Sequence, residues 1–419
     1  MREKWTKTWT AVRENGGVFF KWLLFSCIIG VVVGAAGSGF HYAIEWATEL
    51  RTRYDLIICL LPLAGAVIVL LYKVCGMEAD RGTNFVISAV RENDSMRLRT
   101  APLIVLATVF THLVGGSAGR EGAALQLGGA ISGKIGRWMK LDEKDERVIT
   151  MCGMAAGFAA LFGTPLAAAM LAMEVVSVGV LYYAAIVPCT LSALIALMVS
   201  GRFGIAPTSF SVAGVPELEV ATLIRCVVLG VLFALLSMLF CVLMHTGVRL
   251  YGKAAPNPLF RAILGGVLVL ALTLALGTRD YNGAGMNVIV RAIEGEARPE
   301  AFLLKMVFTA LTLCAGFKGG EIVPAFFTGA TFGCVAGPLL GLPASFAASA
   351  GMVAVFCGVT NCPLTSILLA YELFGGQGLP LYAVLIAVSY MLSGYYGLYS
   401  EQKIVYSKLR PEYIDTKTK

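Results

Sequence analysis

The sequence predicts a polytopic helical membrane protein made of two similar halves, and three observations carry that prediction. Of the 419 residues, 58% are hydrophobic and only 14% charged, against about 45–50% and about 25% in an ordinary soluble chain. Apolar runs recur along the whole length. Two blocks of sequence also repeat, with an offset of 321 − 121 = 200 between their glutamates.

The opening MREKWTKTWTAVRENGG is basic and amphipathic and leads into a long apolar run without a small-residue cleavage site. Residues 1–20 are therefore expected to form a cytoplasmic helix lying on the membrane, not a signal peptide. Apolar runs follow at 22–46, 56–74, 101–116, 148–172, 178–200, 220–246, 260–276, 302–316, 324–340, 347–371 and 380–399. Several are too short or too interrupted by glycine to cross about 30 Å as one straight helix of about 20 residues. They favour broken helices whose ends stop inside the membrane. The transport domain is placed at 21–400, with halves at about 21–200 and 220–400 separated by the loop GRFGIAPTSFSVAGVPELEV, and a cytoplasmic tail at 401–419. Both termini are expected on the cytoplasmic side of the cell membrane.

The formal charge is +7, but basic residues sit mostly at the ends of apolar runs, in YKVCGMEADR, GRWMK and KLRPEYIDTKTK. That distribution suits lipid headgroups and topology setting and gives no reason to expect a nucleic-acid partner. Eleven cysteines are scattered and the three histidines, His41, His112 and His245, lie far apart. Neither a disulfide framework nor a zinc site is indicated, and no metal or other cofactor is expected.

In the repeat, Glu121 is followed by glycine at 129 and 133, and Glu321 by glycine at 329 and 333. Further along, CGMAAGFAALFGTPLAAAMLAMEV (152–175) pairs with AGMVAVFCGVTNCPLTSILLAYEL (350–373), aligning Gly153 with Gly351, Pro165 with Pro363 and Glu174 with Glu372. Transporters built from internal repeats hold their substrate at the repeat interface near mid-membrane. The equivalent positions of Glu174 and Glu372 favour a shared structural role over a proton path.

A helix start carries unpaired N–H groups and about half a positive charge, so aimed into a dry cavity it binds anions. Gly119, Gly122, Gly319 and Gly320 would let backbone approach an ion closely, and Pro324 suits a first helical turn. Two such ends, one from each half, would make an anion site. Glu121 stands at the same place. Ionised, its carboxylate would compete with the anion for those N–H groups; protonated, it would leave, making one residue both gate and proton carrier. A lone ionisable side chain at mid-membrane costs about 2.5–3.5 kcal/mol, which points to function. Arg120 could instead neutralise Glu121, although adjacent helical residues do not face each other.

Gly115-Gly116-Ser117-Ala118-Gly119 fits the G-x-S-x-G hydrolase elbow, but no strand pattern precedes it and the only later histidine, His245, lies in an apolar run. A membrane hydrolase built on Ser117 is the remote alternative. GREGAALQLGG lacks the G-K-[ST] of a phosphate loop, and its glycine spacing suits close helix packing.

Taken together, GREG at 119–122 with its following QLGG, GGEIVP at 319–324 and GLYS at 397–400 resemble the three signature regions of the CLC anion transporters, in that order. The pattern around Pro165 and Glu174 matches as well, so the resemblance spans nearly the whole chain. It implies an all-α fold of two inverted-topology repeats with broken helices, a homodimer, and a separate anion pathway in each subunit. It also implies that Glu121 is the gating glutamate, that the N–H groups of Ile322 and Val323 line the anion site, and that Tyr399 offers a hydroxyl. Tyr395 and Tyr396 compete for that role, and an interfacial aromatic is the alternative for Tyr399 itself. The stretch after Tyr399 is expected to lack the regulatory cytoplasmic domains of many relatives.

The departures from that pattern resemble the bacterial fluoride/proton antiporter branch. GTNFV at 82–86 puts Thr83 where chloride-type members carry serine, Ala123 replaces a proline, Glu321 is inserted into the third signature, and Val175 stands where exchangers carry an internal proton-transfer glutamate. In that branch the inserted glutamate matters for coupling, which transfers to Glu321. Val323 stands where the branch often has threonine. Fluoride is small and tightly hydrated, so hydroxyls and amides such as those of Thr83, Asn84 and Tyr399 would help replace its water. For Thr83 and Asn84 turn chemistry is the alternative; for Glu321, a helix cap neutralised by Lys318. The sequence thus predicts a fluoride/proton antiporter exporting fluoride on proton entry, a secondary transporter and not an enzyme, with fluoride, protons and the lipid bilayer as partners. Chloride/proton antiport and an uncoupled anion channel are the alternatives within the fold.

Overall fold

The computed structural model describes residues 2–78, 80–92 and 96–419. Among them, sixteen α-helices divide evenly between the two halves. The first half holds α1 (Arg2–Arg53), α2 (Leu61–Val74), α3 (Thr83–Glu92), α4 (Thr100–Leu113), α5 (Glu121–Trp138), α6 (Glu143–Phe162), α7 (Pro165–Glu174) and α8 (Ile186–Arg202). The second holds α9 (Val220–Ala254), α10 (Pro258–Leu276), α11 (Met286–Ile293), α12 (Ala301–Leu313), α13 (Ile322–Leu339), α14 (Ala344–Thr360), α15 (Pro363–Phe374) and α16 (Leu379–Leu392). Six helical segments are long and apolar enough to cross a membrane, while α4, α7, α12, α14, α15 and α16 are shorter apolar helices.

The short helices come from specific breaks. The apolar run 148–172 is not one span: α6 ends at Gly163 with left-handed φ 72°, and α7 restarts at Pro165. The run 347–371 breaks the same way, at Asn361 with φ 62° before Pro363. Thr164 and Cys362, the residues between, adopt nearly the same backbone, φ −117°, ψ 76° and φ −118°, ψ 76°. Proline's missing N–H and fixed φ make it a starter of the second helix and bar it from continuing the first.

Glycines set the core. A side chain on Gly128 would run into the Gly153 carbonyl, joining α5 to α6, and one on Gly329 into the Gly351 carbonyl, joining α13 to α14. Removing Cβ lets the backbones approach, as small residues do between membrane helices. This pairing also corrects the repeat register. Gly128, not Gly129, is the partner of Gly329, and α5 begins at Glu121 while α13 begins at Ile322. The offset here is 322 − 121 = 201. Glu321 is therefore the equivalent of Arg120, and the two glutamates are not repeat mates.

Two further expectations change. Helix α1 runs unbroken from Arg2 to Arg53, so the basic N-terminal segment is the start of the first long helix and not a separate element. Residues 401–419 are folded: β2 (Lys403–Tyr406) pairs parallel with β1 (Ser177–Val178) and antiparallel with β3 (Tyr413–Lys417), a small sheet on an otherwise helical molecule. The run 178–200 accordingly starts as strand, and α8 begins only at Ile186.

Candidate functional site

The two halves meet backbone to backbone at the loops that precede α5 and α13. The Gly119 N–H donates to the Gly320 carbonyl at 2.7 Å and the Gly320 N–H donates to the Gly119 carbonyl at 2.8 Å, an isolated antiparallel bridge. Both helices start within two residues of it, so their unpaired N–H groups open beside each other in the core.

Glu121 fills the space between them. It is fully buried. One carboxylate oxygen accepts the Arg120 N–H at 2.9 Å, and the other reaches across the repeat interface to accept the Val323 N–H at 3.2 Å, in the first turn of α13. A Cβ on Gly119 would strike this carboxylate, and one on Gly320 would lie 2.8 Å from it. Gly122 and Gly319 are also sites of close approach: a side chain on the first would meet the Thr83 hydroxyl at 2.7 Å, and on the second the Ala118 Cβ at 2.5 Å. All four glycines provide room, not unusual torsion.

The Arg120 side chain makes no direct ion pair with Glu121. Its guanidinium faces Nδ1 of His41 at 3.1 Å, donates to the Leu161 carbonyl at 3.2 Å and lies over the Phe162 ring. Its backbone N–H hydrogen-bonds the carboxylate, to which the guanidinium adds only a longer-range attraction. Ile322, the first residue of α13, and Val323 are both buried.

Around Glu121 stand groups with unfilled capacity. The Tyr399 ring is buried and its hydroxyl has no partner among the described residues. Tyr395, by contrast, shares a 2.7 Å hydrogen bond with Ser407, which distinguishes the two tyrosines. Glu321 sits at the N-cap position of α13 yet caps nothing, and its buried Oε2 also lacks a partner among the described residues. Lys318 pairs directly with Asp80 at 2.9 Å over the Tyr72 ring and acts on Glu321 only at longer range. Glu121, Glu321 and Tyr399 lie within electrostatic reach of one another. Buried polar atoms are normally paired, so orphans grouped here call for water or an ion. Thr83, the first residue of α3, brings its hydroxyl against the start of α5. The Asn84 amide oxygen accepts the Glu401 N–H at 3.1 Å, a contact to the C-terminal segment.

A vestibule of about 640 Å³ adjoins the site and is lined by Glu121 and Val323 together with His41, Glu45, Arg51, His112, Arg120 and Asp280. Two cations, Arg51 in the vestibule and Lys305 behind it in the core, escaped the reading of the sequence. Arg51 donates to the His112 carbonyl at 2.9 Å. Lys305 on α12 is fully buried, donates to the carbonyls of Tyr281 at 3.2 Å and Gly283 at 2.7 Å, and lies over the Phe327 ring. The signal for Lys305 was a single lysine inside the apolar run AFLLKMVFTALTL. Along the vestibule Arg51, Arg120 and Arg279 are matched by Glu45, Glu49 and Asp280, so its lining is of mixed charge.

Glu174 and Glu372 do have one shared structural role. Glu174, at the end of α7, accepts the N–H groups of Leu364 at 3.1 Å and Thr365 at 2.9 Å and the Thr365 hydroxyl at 2.7 Å, capping α15. Glu372, at the end of α15, accepts the N–H groups of Leu166 and Ala167, both at 2.9 Å, capping α7. Ser117 makes no hydrolase elbow: helix α4 precedes it, and its buried hydroxyl is bonded to Thr309 at 3.1 Å.

The model of the voltage gated chloride channel family matches residues 64–394. A chloride/fluoride channel protein of Pseudomonas syringae pv. tomato is 37% identical over 396 residues, 93% of this chain and 87% of that one. An H+/Cl− exchange transporter of Vibrio cholerae is 27% identical over 389 residues, covering 84% of this chain and 82% of its own. The crystal structure of a CLC-type fluoride/proton antiporter superposes with a TM-score of 0.89 at 34% identity, over 92% of this chain and 98% of that one.

Proposed function

Because the chain belongs to the voltage gated chloride channel family, a family of multi-pass membrane proteins, we propose that it is a fluoride/proton antiporter that exports fluoride from the cytoplasm as protons enter. The observation that carries this reading is the Glu121 carboxylate lying on the N–H of Val323, an anion of the protein's own held where a transported anion would bind. Ionised, it blocks the site. Protonated, it no longer repels an incoming anion, and the N–H of Val323 becomes free to hold fluoride together with that of Ile322. The hydroxyls of Tyr399 and Thr83 supply further donors, which a small, strongly hydrated ion needs more than a large one. Glu321, with a buried unpartnered oxygen beside them, is a second stopping place for the proton, in a molecule where Val175 cannot serve as one. The similarity to a fluoride/proton antiporter along nearly the full length of both chains supports fluoride as the substrate.

Chloride/proton antiport is the second reading, favoured by one observation: Val323 brings an apolar side chain to the site. A homodimer with a pathway in each subunit and cytoplasmic termini complete the proposal. The test is efflux from liposomes holding the purified protein, loaded with fluoride or chloride, with external pH recorded. Fluoride efflux well above chloride, with protons driven uphill into the vesicles, is the expected result. Equal or faster chloride efflux turns the reading to chloride.

A further inference from the structure

Glu401 lies two residues beyond Tyr399, outside the helical bundle, and carries an unusual share of contacts. Its Oε2 is 2.8 Å from the Lys417 ammonium on β3 and 3.3 Å from the Arg91 guanidinium on α3, and its Oε1 is 3.7 Å from Arg81, just before α3. Its carbonyl accepts a further hydrogen bond from Arg91, and its N–H donates to Asn84 on α3 at 3.1 Å. Arg91 also faces its neighbour Glu92. The Glu401 and Arg91 side chains are 16% and 10% exposed, so the pair is shielded from water. An isolated surface ion pair contributes little, but a shielded carboxylate shared by three cations forms a network.

The same short segment is fastened from the other side. The Thr418 hydroxyl donates to the Tyr399 carbonyl at 2.7 Å, and the Gln402 N–H donates to that carbonyl at 2.9 Å. The fully buried Gln402 amide donates to the carbonyls of Val175 at 2.9 Å and Thr360 at 2.8 Å and accepts from Asn361 at 2.8 Å. Thr83 opens the helix that Arg91 and Asn84 belong to. The segments carrying Thr83 and Tyr399 are far apart in sequence, and Arg81, Asn84 and Arg91 all reach the C-terminal segment at Glu401.

We propose that Glu401 is a positioning residue for transport: by clasping α3 to the C-terminal strands it holds the Thr83 and Tyr399 hydroxyls at one fixed spacing beside the anion site. This rests on the antiporter reading, since a spacing matters only if both hydroxyls meet the ion. Without the clasp, the two segments separate and fluoride passes without waiting for the proton.

The test uses the full chain in liposomes, recording fluoride efflux and external pH together for wild type, Glu401→Gln and Glu401→Asp. Glu401→Gln is expected to lower proton movement per fluoride about fivefold, with Glu401→Asp restoring most of it. A merely structural fastening would lower the melting temperature and leave that ratio unchanged, and this outcome overturns the proposal. Should Glu401→Gln not fold, Lys417→Gln, at an exposed position on β3, is expected to lower the ratio about twofold; an unchanged ratio there overturns it equally. A wild type without coupled flux overturns the antiporter reading and the clasp together, whereas a coupled wild type with an unaffected Glu401→Gln overturns the clasp alone.

Discussion

Glu174 and Glu372 each commit both carboxylate oxygens to a helix start in the opposite half, one pair mirroring the other. At the anion site the symmetry fails: Glu121 reaches across to α13, its repeat mate is Ile322, and Glu321 leaves an oxygen without a partner among the described residues. The same chemistry, a carboxylate against helix N–H groups, serves as a rivet in one place and as a latch in the other. Saturation separates them. A carboxylate whose oxygens both face first-turn N–H groups, backed by a hydroxyl as at Thr365, has nothing to gain by moving. One held by a single bond from each side can be exchanged for another anion.

The contrast breaks first at Glu121. Glu121→Gln is expected to cut fluoride-coupled proton movement by about 100-fold or more, read as external pH during efflux, because the amide cannot carry the proton. Glu321→Gln should lower the proton-to-fluoride ratio about tenfold. Its melting temperature should hold, since its side chain caps nothing. Glu174→Ala and Glu372→Ala should each cost about 1–2 kcal/mol of stability, measured by thermal unfolding, and leave the ratio intact; a changed ratio in either would erase the distinction between rivet and latch. Tyr399→Phe removes a hydroxyl with no partner among the described residues, so stability should not fall, while fluoride binding should weaken by about 0.5–1.5 kcal/mol, read from the concentration dependence of efflux.

The smallest expected effect is that of pH on the clasp. The Lys417 hydrogen bond holds the Glu401 carboxyl below the usual carboxylate range, against burial and with help from Arg91. A depressed folded value means that the contribution is full at neutral pH and lost only as pH falls through that value, below about 4.3. Coupling measured against the pH on the side of the C-terminal strands should therefore stay flat through the neutral range.

Much of this was legible in the sequence because it depends on residue types that leave marks. The halves, the prolines at 165 and 363, the pairing of Glu174 with Glu372 and the place of Glu121 all follow from spacing. The one-residue error in the repeat offset arose because Glu121 and Glu321 look alike, while the structure aligns Gly119 with Gly320 and Arg120 with Glu321. The breaks at Gly163 and Asn361 were hidden by unbroken hydropathy, which measures solvent preference and not backbone direction. Lys305 and Arg51 were overlooked because a lone cation shows its importance only once carbonyls and a vestibule surround it. The tie of Asn84 to Glu401 left no mark either, because a backbone N–H partner 317 residues away has no signature in the sequence.

The bridge between Gly119 and Gly320 limits how this molecule can work. A machine that rocks one half against the other would tear two backbone hydrogen bonds in a dry core on every cycle, exposing groups that cost about 1–3 kcal/mol each when left unmade. With the walls stapled together at the site itself, the economical motion is the swing of a single side chain. On the reading proposed above, the turnover clock belongs to a rotamer and its proton, and the surrounding scaffold serves as a stationary frame.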